Sequence, residues 1–139
     1  MKFSKATNYA LHSMLFLAMD TSNKFVGVQE LAENQKVSPT YLSKILTKLA
    51  KEGMIISSSG VNGGYSISRK LEEISFLDII HAIEGKSSLF DCCLDSLSEC
   101  ALKKIMLSAE KKMEEELKNQ KISDLVKKIC KKNPPLFFL

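Results

Sequence analysis

Cys92, Cys93 and Cys100 stand close together in a chain of 139 residues, with Cys130 further on. Clustered thiols suit three chemistries: a disulfide framework, a metal or cluster site, or a reactive thiolate. A disulfide framework belongs to small secreted domains. The apolar run Leu11–Met19 reads instead as a core helix, because His12 and Ser13 interrupt it and Asp20 follows without a small-residue cleavage pattern. No stretch approaches the roughly 20 apolar residues of a membrane span. The expected setting is cytoplasmic, with thiols that are reduced, metal-bound or redox-sensing. Two histidines, His12 and His81, and a single arginine, Arg69, leave little material for acid–base catalysis. No nucleophile–base pair stands out, and Gly60–Gly64 precedes a β-prone stretch rather than the helix that a phosphate-binding loop requires. An enzyme is not expected.

The second constellation is basic. Net charge is +4, unevenly spread. Residues 36–70 carry Lys36, Lys44, Lys48, Lys51, Arg69 and Lys70 against Glu52 alone, whereas residues 71–100 carry seven acids against Lys86. Such a division suggests a face turned toward a polyanion and a defined back. Within the basic segment, Thr40, Ser43, Lys44, Thr47, Lys48 and Lys51 share one side of an amphipathic helix. Leu42, Ile45, Leu46 and Leu49 form the apolar stripe behind them. A helix apolar behind and lined in front with hydroxyls and lysines suits a DNA major groove.

Several elements must hold that helix in place. A first helix is expected over roughly Ser4 to Met19 and a shorter one over Val28–Asn34. Lys36-Val37-Ser38-Pro39 makes a short turn into the basic helix, with Ser38 able to cap it and Pro39 at its first position. Gly53 ends it as a left-handed cap. Met54–Ser59 and Tyr65–Ser68 are β-prone around the turn Gly60–Gly64, which makes a hairpin directly after a helix–turn–helix: a wing. Ser75, with Asp78 as a capping-box partner, opens a helix that closes at Gly85. Lys86–Ser98 is a loop holding the Cys92-Cys93 pair. A long helix from about Glu99 to Asn119 repeats Leu102, Ile105, Met106, Ala109, Met113 and Leu117 at heptad-like spacing, a narrow stripe suited to a subunit interface. Ile122–Cys130 is a last amphipathic helix, and the apolar end Pro134–Leu139 should dock. The expected fold is mainly α: a winged helix-turn-helix over residues 1–86, then a cysteine loop, dimerisation helix and C-terminal helix over 87–139.

The pieces VQELAENQKVSPTYLSKILTKLAKEGMI, GVNGGYSISR and ISFLDIIHAIEG, preceded by MKFSKATNYALHSMLFLA, together resemble the Rrf-two-type winged-helix transcription regulators over nearly the whole chain. This family includes iron–sulfur, nitric-oxide and cysteine-metabolism sensors. The resemblance implies a homodimer on a pseudo-palindromic DNA operator. It places DNA contacts at Ser38, Pro39, Thr40, Tyr41, Ser43 and Lys44 of the recognition helix, and at Gly60, Asn62, Gly63, Gly64 and Tyr65 of the wing. Ser4, Lys5 and Tyr9 of the first helix would touch phosphate. Ser59 stands where relatives often carry an arginine suited to a narrow minor groove.

Iron–sulfur members of the family carry three spaced cysteines in the loop and a fourth ligand nearby. Here Cys100 matches the last of the three, Cys92 or Cys93 the first, and Lys103 stands in place of a histidine. Four donors are required, so a fourth would come from Asp91, Asp95, Glu99, Cys130 or a partner chain. The other reading is a thiol switch, since a helix start favours the thiolate and Lys103 and Lys104 assist, against Asp91, Asp95 and Glu99. A Cys93–Cys100 disulfide would then rearrange the dimer helix. The expected function is a homodimeric, sequence-specific transcription regulator, a repressor, modulated through Cys92, Cys93 and Cys100 by thiol oxidation or an iron–sulfur cluster. The alternative is control by a docking regulatory protein, with incidental cysteines.

Overall fold

The structure, a computed structural model, describes residues 2–22, 24–90 and 101–132. Cys92, Cys93 and Cys100, the acids around them and the apolar end Pro134–Leu139 therefore lie outside the described residues. Helix α1 (Lys5–Met19) starts at the N-cap Ser4, whose hydroxyl accepts from the Thr7 N–H. Helix α2 (Val28–Gln35) stops at Lys36, a non-glycine residue in the left-handed region (φ 56, ψ 47). Its N–H and that of Val37 close back onto the last α2 carbonyls. That reversal lets α3 (Pro39–Lys51) begin within two residues. Ser38 caps it as expected, with Pro39 at the first position where its missing N–H costs nothing.

The stripe Leu42, Ile45, Leu46 and Leu49 is buried, together with Ala10 and Met14 of α1 and Leu31 and Ala32 of α2. Gly53 takes the expected left-handed conformation (φ 76). The wing then forms from β1 (Ile55–Ser58) and β2 (Gly64–Ile67), antiparallel, with Ile55 opposite Ile67 and Ser58 opposite Gly64. A 3-10 turn over Leu71–Glu73 leads to α4 (Phe76–Glu84), and the capping box of Ser75 and Asp78 is present in both directions. Helix α5 (Ala101–Asn119) is followed by α6 (Ile122–Lys132).

Residues on both sides of position 86 share one core. Ile122 is fully buried among the residues of α1, α3 and α4, and its N–H donates to the Ile74 carbonyl. The Phe76 N–H donates in turn to Gln120, so a bridge across Ser75 and Lys121 fastens α6 to the start of α4. The expected stripe on α5 divides in two. Leu102, Ile105 and Met106 are exposed, at 69%, 65% and 40%, and Ala109 is exposed as well. Met113 and Leu117 are half-buried and line a hollow against Leu77 and Ile80 of the chain's own α4.

Candidate nucleic-acid interface

Tyr9 of α1 and Tyr41 of α3 meet edge to face, with ring centroids 5.9 Å apart and planes at 87°. An aromatic pair in this geometry is worth roughly 0.5–1.5 kcal/mol beyond area burial. It also aligns two helix faces. Lys5 lies one turn before Tyr9, while Lys44 and Lys48 lie one and two turns after Tyr41, so helical spacing sets the three lysines along the joined stripes. All three are exposed, as are Ser38 and Thr40, whereas Ser43 and Pro39 are partly covered. Tyr41 keeps 40% of its surface while packing on Tyr9. Thr47 is on the same face, but its hydroxyl donates back to the Ser43 carbonyl, so its proton is already engaged.

The wing is fastened to the C-terminal end of α3. The Met54 N–H donates to Leu49, the Ser68 N–H to Met54, and the Ser68 hydroxyl to Gly53. Arg69 donates from its guanidinium to the Glu52 carbonyl. A cation there also opposes the negative end of the helix dipole. The chain's only arginine therefore stabilises the joint between α3 and the wing.

The glycines of the wing divide by role. A Cβ on Gly63 would stand 2.2 Å from the Ser58 carbonyl oxygen, so the hairpin itself requires that glycine. A Cβ on Gly64 would stand 2.3 Å from the Val26 carbonyl oxygen. Val26 and Tyr65 exchange two backbone hydrogen bonds of 2.9 and 2.8 Å, an isolated bridge that lays the segment before α2 along β2. Tyr65 is half-buried against the core beside it. Ile56, Ser57 and Ser58 of β1 and the tip, Ser59 to Asn62, are exposed, with Gly60 at φ 97 and Val61 wholly exposed. Among the wing residues expected at DNA, Gly60 and Asn62 are thus free at the tip. Gly63, Gly64 and Tyr65 have complete roles within the fold.

At the other end of this face lies a residue that sequence reasoning did not single out. Glu84, the last residue of α4, accepts at Oε2 from the Ser4 N–H (2.7 Å) and from the Thr7 hydroxyl (2.8 Å). These bonds hold its carboxyl below the ordinary glutamate range, first through the Ser4 backbone N–H, against partial desolvation, with the Thr7 hydroxyl and Lys48 adding attraction. Its sequence signals were its place at the Ile83-Glu84-Gly85 end of the stretch that carries the family resemblance, and the absence of any acid in the first turn of α1, which leaves the positive end of that helix to be met from elsewhere.

Comparison with known proteins then decides the family. The family described as "Rrf2: Iron-dependent Transcriptional regulator" matches residues 3–128. The chain belongs to the Rrf2 family. It is 30% identical to the protein rrf2 of Nitratidesulfovibrio vulgaris over 140 aligned positions, covering 96% of this chain and 93% of that one. It is 40% identical over 90 residues to the putative HTH-type regulator YffB of Lactococcus lactis, a match over 65% of this chain that spans only 58% of that relative's length. The solved structure of CymR, the global cysteine regulator of B. subtilis, superposes with a TM-score of 0.79 at 25% identity, covering 91% of this chain and 97% of that one. Rrf2 proteins are transcriptional regulators with a DNA-binding role and not enzymes, so the winged helix-turn-helix and the absence of an expected catalytic function both stand.

The family description also implies iron. Among the described residues no group of three or more His, Cys, Asp or Glu side chains could hold a metal ion. Cys130 is a free, half-buried thiol on α6, and His12 and His81 lie on α1 and α4. Residues 91–100 offer three thiols and no imidazole. A four-donor iron site would draw on those three thiols, which lie outside the described residues, with a fourth ligand from Asp91, Asp95, Glu99, Cys130 or a partner chain. No helix among the described residues is long and apolar enough to cross a membrane.

Proposed function

We propose that this chain is a homodimeric repressor that reads a pseudo-palindromic DNA operator with α3, the wing tip and the N-terminal turn of α1. The observation that carries this reading is the Tyr9–Tyr41 contact, which unites the lysines of two helices into one basic face beside the wing. Lys5, Lys44 and Lys48 supply phosphate contacts, while Thr40, Ser43 and Asn62 are short or amide side chains able to reach base edges. The dimer reading rests on Leu102, Ile105, Met106 and Leu107, large apolar side chains left exposed along the first half of α5. A row of this kind is the ordinary sign of a subunit contact.

Control of the operator grip is assigned to Cys92, Cys93 and Cys100. The signal is thiol oxidation or an iron–sulfur cluster, and a cluster would take its fourth ligand from Asp91, Asp95, Glu99, Cys130 or the partner chain. The test has two parts. Duplexes selected by the wild-type protein from randomised DNA should be bound more weakly by Lys44→Ala and unchanged by Lys118→Ala; equal affinity for all three would remove the proposed face. Absorption, iron and sulfide content on protein purified without oxygen then separates the two signals. Visible bands with stoichiometric iron, abolished by Cys100→Ala, identify a cluster, whereas a colourless iron-free dimer that still binds DNA leaves the thiols or a docking protein, which alkylation of Cys93 and Cys100 then separates.

A further inference from the structure

We propose that Glu84 is a positioning residue for DNA binding, and that Glu84 and Glu110 together form a relay of two carboxylates that ties α5 to the N-terminus of α1. The inference rests on the DNA-binding face described above and adds to it the element that sets its position. One oxygen of Glu84 holds both the Ser4 N–H and the Thr7 hydroxyl, 80 and 77 residues away in sequence. Hydrogen bonds to a charged acceptor are the strong ones. Gly85 then turns the chain at φ 85, and three residues beyond it Glu110 of α5 closes a second clasp. Its Oε2 accepts from the Ser88 hydroxyl (2.7 Å) and its Oε1 from the Leu89 N–H (2.8 Å).

Between the two clasps run only Gly85, Lys86 and Ser87, all exposed. Both carboxylates border one hollow of about 300 Å³, which Lys2, Phe3 and Met113 also line. The hollow separates the N-terminal arm from this stretch, and the two carboxylates supply the hydrogen bonds at its rim, while α1 itself packs on α4 through the core. A shift of α5 would pull on Ser88 and Leu89, reach Glu84 through three residues, and move Ser4 and Thr7. Lys5 and Tyr9 lie on the same first turns, and Tyr9 carries the contact with Tyr41. The sign of the effect is diagnostic. As a bare charge Glu84 repels DNA, so neutralising it would strengthen binding. As a positioning residue it strengthens binding by being present.

The experiment measures affinity for the selected duplex at fixed salt. Glu84→Ala should weaken binding about tenfold, the factor that roughly 1.4 kcal/mol of lost positioning represents. Glu84→Gln keeps an oxygen acceptor and should return to within about twofold of wild type, given that neutral acceptors are only modestly weaker. Thr7→Val, which keeps the buried shape and removes one donor, should fall between them and serves if the alanine variant fails to fold. Glu110→Ala should weaken binding in the same direction, and the Glu84→Ala/Glu110→Ala pair should be no weaker than Glu84→Ala alone. Equal strengthening by the alanine and glutamine variants, or unchanged affinity, overturns the positioning role; additive losses overturn the relay. A wild-type protein that recovers no duplex overturns the DNA-binding face itself. Amide exchange at Ser4 and Thr7 still reads the relay in that event: faster exchange in Glu110→Ala supports it and unchanged exchange ends it.

Discussion

Gly64→Ala separates a glycine required by the fold from one required by a ligand. The added Cβ would stand 2.3 Å from the Val26 carbonyl oxygen and 2.8 Å from the Gly27 nitrogen, backbone atoms that no rotamer change can move. The φ of 144 adds strain for any L side chain. To relieve the contact the segment before α2 must leave β2, and the two hydrogen bonds between Val26 and Tyr65 are lost. Two backbone bonds at about 1 kcal/mol each, with about 1–3 kcal/mol for the disfavoured backbone, give a destabilisation of about 3–5 kcal/mol. That is a large fraction of the roughly 5–15 kcal/mol that holds a typical domain folded. The assay is urea unfolding of wild type and variant at equal concentration, followed by circular dichroism, with the slope compared to verify that the transition is unchanged in kind. A loss below about 1 kcal/mol would refute the reasoning. If stability were intact and only DNA affinity fell, Gly64 would be serving the approach of another molecule rather than the Val26 bridge.

Three further outcomes follow from the same geometry. Ser75→Ala removes the acceptor for the Asp78 N–H at a residue only 2% exposed, and should cost about 1 kcal/mol of stability in the same urea assay; no change would mean that the capping box is not stabilising. Glu84 is held below its ordinary value of 4.5 in the folded chain, first by the Ser4 N–H. Its contribution is therefore full above pH 4.5 and is lost as pH falls through the lower folded value, so the urea midpoint of wild type should drop more steeply below 4.5 than that of Glu84→Gln, and parallel curves would contradict this. Ile105→Glu places a charge in the exposed apolar row of α5 and should shift sedimentation from dimer to monomer with the helix content kept; an unchanged dimer would move the interface elsewhere.

Local signals were legible in the sequence. Ser38-Pro39, Gly53 and the pair Ser75 and Asp78 each act within four residues, and each stands where the residue types placed it. The apolar stripe of α3 was equally clear, because a buried face repeats at helical spacing whatever covers it. What covers a face is a different question. Leu102 and Ile105 satisfy the same periodicity on α5 as Met113 and Leu117, yet the first pair is exposed while the second lies against α4. Two long-range pairings left no local trace: the Val26 bridge and the return of Ile122 to the core join residues that nothing in their neighbourhoods marks as partners. The close approaches at Gly63 and Gly64 were equally unmarked, since their steric reason inside the chain lies in backbone brought near by the hairpin and by the segment before α2.

The placement of Arg69 carries the argument about recognition one step further. A guanidinium is the side chain that reads guanine through two parallel hydrogen bonds and that enters a narrow minor groove. The chain has one, and it is donated to the Glu52 carbonyl at the end of α3, where it holds the wing at its angle. At the wing tip, Ser59, Val61 and Asn62 are exposed, so what the tip presents is a hydroxyl, an apolar group and an amide. The cations of the proposed face are lysines, which meet phosphate as point charges and impose little geometry. If the proposed face is right, discrimination between sequences falls to its short side chains, Thr40, Ser43 and Asn62, through hydrogen bonds to base edges. On this arrangement the lysines govern how steeply affinity falls with salt, and the small side chains govern which duplex is kept as salt rises. The two properties are carried by different residues and should separate on mutation.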